Sequence, residues 1–171
     1  MKRITILQNG GGWTTNIGNA FIDLGSMECL SRAAIKANIK ANIHLTSVLG
    51  RWIFYQVSRG IKGYLLKQPG ETKNVFNLQN YAKIDYVVQW GAFLSKHWFQ
   101  LHGEILSKLS KKGTKIIVNG GGIGENACSE EEIEKTRECL RKLNPYAFVS
   151  RDRKTFDSFE DLAEYSCNGI D

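Results

Sequence analysis

Three short apolar segments of this chain end in glycine, and a fourth ends in Arg-Asp. Arg3 to Gln8 leads into Gly10-Gly11-Gly12, and Ile84 to Trp90 stops at Gly91. Lys115 to Val118 leads into Asn119-Gly120-Gly121-Gly122, and Ala147 to Val149 leaves through Ser150-Arg151-Asp152. Helical patterns alternate with these segments. Ile17, Ala20, Phe21, Leu24 and Met27 recur at helical spacing and predict a helix from about Gly18 into the thirties. Trp98, Leu101, Ile105, Leu106 and Leu109 mark a second helix, stopped by Lys111-Lys112-Gly113. Ser129 with Glu132 three residues on forms a capping box; it opens a helix that groups Ile133, Thr136, Leu140 and Leu143 before Pro145. A last helix is expected over Phe156 to Tyr165, and a further strand over Ile43 to Val48. Strands joined by helical crossovers make a mainly parallel sheet. The expectation is therefore an α/β, Rossmann-like fold of about five strands flanked by helices.

In a parallel sheet the carboxyl ends of the strands share one rim, and open α/β sheets bind ligands there. Glycine on that rim lets backbone N–H groups come close to a ligand. The usual nucleotide fingerprints are missing. A G-x-G-x-x-G pattern needs glycine where Thr15 or Glu125 stands, and no Gly-Lys pair exists to make a P-loop. There is also no G-x-S-x-G nucleophile elbow. His44, His97 and His102 are scattered, and the acids from Glu130 to Glu134 fall in a helix first turn, where they complement the dipole.

The four cysteines, Cys29, Cys128, Cys139 and Cys167, have no metal-ligand spacing and read as small buried or half-buried thiols. No metal and no cofactor are expected. No apolar run reaches the length of a membrane span or a signal core, which places the chain in the cytoplasm. Residues 1–70 carry nine Lys/Arg against two acids, and residues 71–171 carry fourteen against fifteen. The first part is thus suited to an anionic partner or a solvated basic surface. Nucleic acid fits poorly, because no basic run interleaves with aromatics and no zinc-finger spacing is present. Arg51 to Lys67 mixes Trp52, Phe54, Tyr55 and Tyr64 with four cations. It reads either as a core helix or as peripheral membrane contact at the inner face of the membrane.

The ordered set of motifs resembles the N-terminal half of the polysaccharide pyruvyl transferase family. The opening strand, its glycine turn and Asn16-Ile17-Gly18-Asn19 are similar to that family's start, with Asn19 where the family has aspartate. Tyr86 to Gly91 and Gly120-Gly121-Gly122-Ile123-Gly124 match its next elements, although the family commonly has two glycines at the first of these. Arg151-Asp152-Arg153-Lys154-Thr155 resembles its Arg-Asp-x-x-Ser, with Thr155 replacing serine. The resemblance covers almost the whole chain. It implies one lobe, residues 1–171, of an enzyme similar in arrangement to B-type glycosyltransferases, with the C-terminal lobe outside this chain.

The activity implied is transfer of a pyruvyl group from phosphoenolpyruvate to sugar hydroxyls of a cell-surface polysaccharide, forming a ketal. The partners implied are phosphoenolpyruvate, a glycan acceptor, and a partner lobe or homo-oligomer. The resemblance gives Arg151 a donor-binding role, set against a buried ion pair with Asp152 or another acid. The substrate-binding candidates are Gly11, Gly12, Asn16, Gly18, Asn19, Gly91, Gly121, Gly122, Arg151 and Asp152. The general acid is implied to come from the other lobe. Two other functions stay open: a B-type glycosyltransferase lobe using a nucleotide-sugar donor, and a non-catalytic glycan-binding or scaffold protein.

Overall fold

The computed structural model describes residues 2–10, 17–47, 83–91, 94–123 and 129–169. The expectations for Arg51 to Lys67 and for Cys128 fall outside these residues. The described elements are β1 (Arg3–Gly10), α1 (Ile17–Lys36), β2 (Lys40–Ser47), β3 (Tyr86–Trp90), α2 (Lys96–Lys111), β4 (Lys115–Gly121), α3 (Glu130–Leu143), β5 (Ala147–Ser150), α4 (Arg153–Phe159) and β6 (Tyr165–Asn168). A 3-10 turn over Glu160–Leu162 links α4 to β6.

The strands form one sheet in the order β2-β1-β3-β4-β5-β6, and every described pairing is parallel. This is the expected α/β, Rossmann-like architecture, with six strands instead of about five. The extra strand, β6, begins at Tyr165, where the sequence pattern suggested the end of a helix. The physical reason is a short helix. Asp152 caps α4 at its start, and the helix gives way to the 3-10 turn after Phe159. β6 is exposed at all four residues, so no apolar alternation advertised it.

Alternate residues of the strands feed two cores. Leu7, Val87, Ile116, Val118 and Phe148 pack with Leu106, Leu109, Leu140, Leu143 and Phe159 from α2, α3 and α4. Ile4, Ile6 and Val88 face the other way, with Leu30 of α1 against them. Helices on both faces explain why β3 buries three consecutive residues, Val87, Val88 and Gln89. α2 is capped by Ser95, whose hydroxyl accepts from the Trp98 N–H at 3.3 Å. α3 is capped by Ser129, whose hydroxyl accepts from the Glu132 N–H at 3.3 Å. α3 ends at Asn144 in the left-handed region, φ 50°, ahead of Pro145.

α1 departs from expectation in its orientation. It buries Asp23 and Ser26, while Phe21, Leu24 and Ile35 are 72%, 64% and 77% exposed. Two hydrogen bonds converge on the backbone carbonyl of Asp23. Gln8, fully buried on β1, donates its side-chain amide to the Asp23 carbonyl at 2.9 Å, and the Ser26 hydroxyl donates to the same carbonyl. Among the described residues two cysteines also differ from expectation: Cys29 and Cys167 are exposed, while Cys139 is half-buried, where burial pushes its thiol up. No helix among the described residues is long and apolar enough to cross a membrane.

Candidate functional site

The chain steps outward from β1 to β2 and then returns to pair β3 on the other side of β1. That reversal is the switch point at which open α/β sheets form a ligand crevice, outside the carboxyl ends of their strands. The buried amides of Asn9 and Gln89 tie the two strands together there. Asn9 Nδ2 donates to Gln89 Oε1, and Gln89 Nε2 donates to the Trp90 carbonyl at 3.2 Å. On the α1 face of the same strands, Gln8 Oε1 and Trp90 Nε1 are buried without a hydrogen-bond partner.

β3 then turns through Gly91, whose φ of 93° is in the left-handed region that favours glycine. Its N–H donates to the Asn119 carbonyl of β4 at 3.2 Å. β4 carries an irregularity between Asn119 and Gly121, with Gly120 at φ 67°. A bulge at a rim bends its strand and re-aims the residues beyond it. Gly121 sits against the core: a Cβ there would lie 2.9 Å from Val118 Cγ1 and 3.1 Å from Phe148 Cε2. Gly122 has a different neighbour. A Cβ there would lie 2.5 Å from Nε and 2.9 Å from Cδ of Arg151. The Arg151 stem therefore lies directly on the bare backbone of Gly122, and the Arg151 N–H donates to the Gly121 carbonyl at 3.0 Å.

The Arg-Asp-x-x-Thr motif acts locally as a clamp. Asp152 is the N-cap of α4: Oδ1 accepts from the Thr155 N–H at 2.7 Å, and Oδ2 accepts from the Thr155 hydroxyl at 2.8 Å. That hydroxyl in turn accepts from the Ile123 N–H at 3.2 Å. Thr155 is 1% exposed, so both of its bonds are made away from water. The glycine turn after β4 is thereby fastened to the start of α4, and Arg151 projects from between them. Its side chain is half exposed, and Nε stands 3.9 Å from Asp152 Oδ2. A buried Arg151–Asp152 ion pair, the alternative raised by the sequence, is not what the geometry contains. The Asp152 carboxylate serves the cap, and its contact with Arg151 is a long one between partly exposed side chains.

The structure thus brings Gly91, Gly121, Gly122, Arg151 and Asp152 together along the carboxyl ends of three neighbouring strands. Gly18 and Asn19 occupy the first turn of α1, the helix that follows β1. Gly11, Gly12 and Asn16 lie outside the described residues. Two rim features had no signal in the sequence. Ser150, fully buried at the end of β5, donates its hydroxyl to Asn168 Oδ1 of β6 at 2.9 Å. Gly169 donates its N–H to the Ser150 carbonyl at 2.8 Å, and a Cβ at Gly169 would lie 2.5 Å from that oxygen. Neither a short exposed strand nor a terminal glycine is legible as part of a rim. His102, by contrast, is buried against Trp98, at a ring distance of 4.8 Å, and belongs to the interior. Among the described residues no cluster of His, Cys, Asp and Glu has the makings of a metal site.

Chemically, this arrangement offers a half-exposed cation, Arg151, and bare backbone at a glycine bulge, with the adjacent Asp152 carboxylate engaged by the α4 cap. Guanidinium suits paired contact with carboxylate or phosphate oxygens. In comparisons with family models, with curated proteins and with solved structures, the chain matches none.

Proposed function

We propose that this chain is the N-terminal lobe of a pyruvyl transferase that modifies a cell-surface polysaccharide from the cytoplasmic side, with Arg151 holding the anionic donor. The observation that carries the reading is the half-exposed Arg151 guanidinium on the carboxyl rim, beside Gly122, with its neighbour Asp152 spent on capping α4. The donor, phosphoenolpyruvate, bears a carboxylate and a phosphate on one enol carbon. In the reaction the terminal methylene gains a proton and becomes the methyl group. A sugar hydroxyl forms a C–O bond to the resulting cationic carbon. Phosphate departs with the electron pair of its own C–O bond, and a second hydroxyl closes the ketal. A guanidinium that pairs with the carboxylate keeps the donor oriented throughout, and its binding of phosphate oxygens stabilises the leaving anion.

The test is phosphate release from phosphoenolpyruvate, followed with and without a glycan acceptor. Release that requires both the glycan and Arg151, and falls by roughly a hundredfold in Arg151→Ala, is the expected result. Sugar release from a nucleotide-sugar donor would move the chain to the glycosyltransferases instead. Saturable glycan binding without turnover would make it a binding protein.

A further inference from the structure

The opposite edge of the sheet carries a feature that the rim chemistry does not use. Parallel strands begin, and their crossover helices end, on the same side of the molecule. The chain places exposed cations at many of these points. Lys2, Arg3, Lys40 and Lys83 stand at the starts of β1, β2 and β3, and all are exposed. Arg3 pairs in register with Lys40. Arg3 and Lys40 thus stand side by side at the ordinary strand spacing of about 4.8 Å, and Lys83 lies on the lead into β3. Lys36 closes α1, while Lys111 and Lys112 close α2, on the same edge.

Cations at helix ends have a local reason, since they complement the dipole. Cations at strand starts have none, because sheets carry little net dipole. None of these side chains makes an ion pair among the described residues. Asp85, an acid on the lead into β3, accepts from the Thr5 N–H at 2.8 Å. Acids gather instead at the far end of this edge, at Glu160, Asp161 and Glu164, below β5 and β6. An apolar side chain belongs to the basic end: Ile35, in the last turn of α1 beside Lys36, is 77% exposed.

We infer that this basic edge, from β2 through β1 and β3 to the end of α2, docks the protein on an anionic lipid bilayer. Three features favour a bilayer over a polynucleotide. The cations are spread along one edge of the sheet rather than gathered at one point. All but Arg3 are lysines, which act as point charges on long flexible stems, whereas phosphate-backbone readers favour arginine forks. An exposed isoleucine among lysines fits an interface that is apolar beneath its charged surface. The docked orientation turns the carboxyl rim away from the membrane. The inference does not depend on the chemistry proposed for that rim.

The test is co-sedimentation of the full chain with vesicles of phosphatidylglycerol and phosphatidylcholine in equal amounts, against vesicles of phosphatidylcholine alone. Binding is expected only to the anionic vesicles and is expected to fade at high salt. Each cation removed near a charged surface should weaken binding about fivefold, so Lys40→Gln with Lys83→Gln should weaken it roughly 25-fold. Lys154→Gln, exposed on α4 at the opposite edge, should leave binding unchanged, and circular dichroism should report the same fold for all variants. Ile35→Ser should weaken binding severalfold even at low salt. Equal binding to both vesicle types overturns the inference, as does no binding to either. So does wild-type binding by the double lysine variant, which would move the contact to another part of the chain. Tighter binding to a DNA duplex than to the anionic vesicles at the same salt would assign the edge to a polynucleotide.

Discussion

The two faces of the sheet are built by opposite means. On one face α2, α3 and α4 present apolar residues at helical spacing, and Leu106, Leu140 and Phe159 are completely buried against Val87, Ile116 and Phe148. On the other face α1 turns Asp23 and Ser26 inward, meets a buried glutamine, and leaves Phe21, Leu24 and Ile35 in solvent. The first face draws its stability from apolar burial. The second trades apolar burial for hydrogen bonds of smaller net worth. The lesson concerns position: the helix that follows the first strand beside the switch point leaves Phe21, Leu24 and Ile35 outside and packs Leu30 inside, and the helices that brace the Arg151 rim turn their apolar stripes inward.

Substitutions can break or sharpen that contrast. Leu140→Ala, in the fully buried seam of α3, should cost about 2–5 kcal/mol in urea unfolding, because it removes apolar contact and leaves a cavity. Thr155→Val keeps the shape of the side chain but removes both bonds of its buried hydroxyl. It leaves an Asp152 oxygen and the Ile123 N–H without that partner, for a cost of about 1–3 kcal/mol. A loss within experimental error would mean that the turn after β4 is held by something other than this clamp.

A smaller effect is expected at the surface of the braced face. The Arg137 guanidinium hydrogen-bonds Asp161, with Nη1 2.9 Å from Oδ1, and holds that carboxyl below its usual range. A carboxyl lowered in the folded state adds stability that is present above its unfolded pKa and is lost as pH falls through the folded one. With Asp161 more than half exposed, solvent screening keeps the gain below about 1 kcal/mol. Asp161→Asn should therefore flatten the acid limb of the stability–pH curve and change little at neutral pH. Smallest of all should be Leu24→Ser on α1, within about 0.5 kcal/mol, because the side chain already faces water. A loss of several kcal/mol there would show that the exposed stripe of α1 is covered in solution.

The braced face was legible in the sequence because local and long-range signals agree on it. Ser129 and Glu132 fix where α3 starts, Asn144 and Pro145 where it stops, and Thr136, Leu140 and Leu143 which side faces in. The shared rim of glycines was legible too, since it follows from strands that are all parallel. α1 misled because periodicity reports which residues share a side and not which side is buried. The Phe21 and Leu24 stripe is real but points outward, since Gln8 supplies a polar floor that only the tertiary pairing reveals. β6 was hidden because an exposed edge strand has no need of alternation. The role of Asp152 was hidden as well. A carboxylate beside an arginine reads as its ion partner, until the backbone of Thr155 is seen to claim it.

The central claim is that the Arg151 guanidinium, laid over Gly122 and held only loosely by Asp152 at 3.9 Å, is an anion-binding group of the carboxyl rim. Calorimetric titration of phosphoenolpyruvate into the chain and into its Arg151→Gln variant tests it most directly, with urea melts confirming equal stability. The account predicts saturable binding that weakens at least about tenfold in the variant, the value of one charge-assisted contact. Equal affinity in the two proteins, or no binding by either, would contradict it.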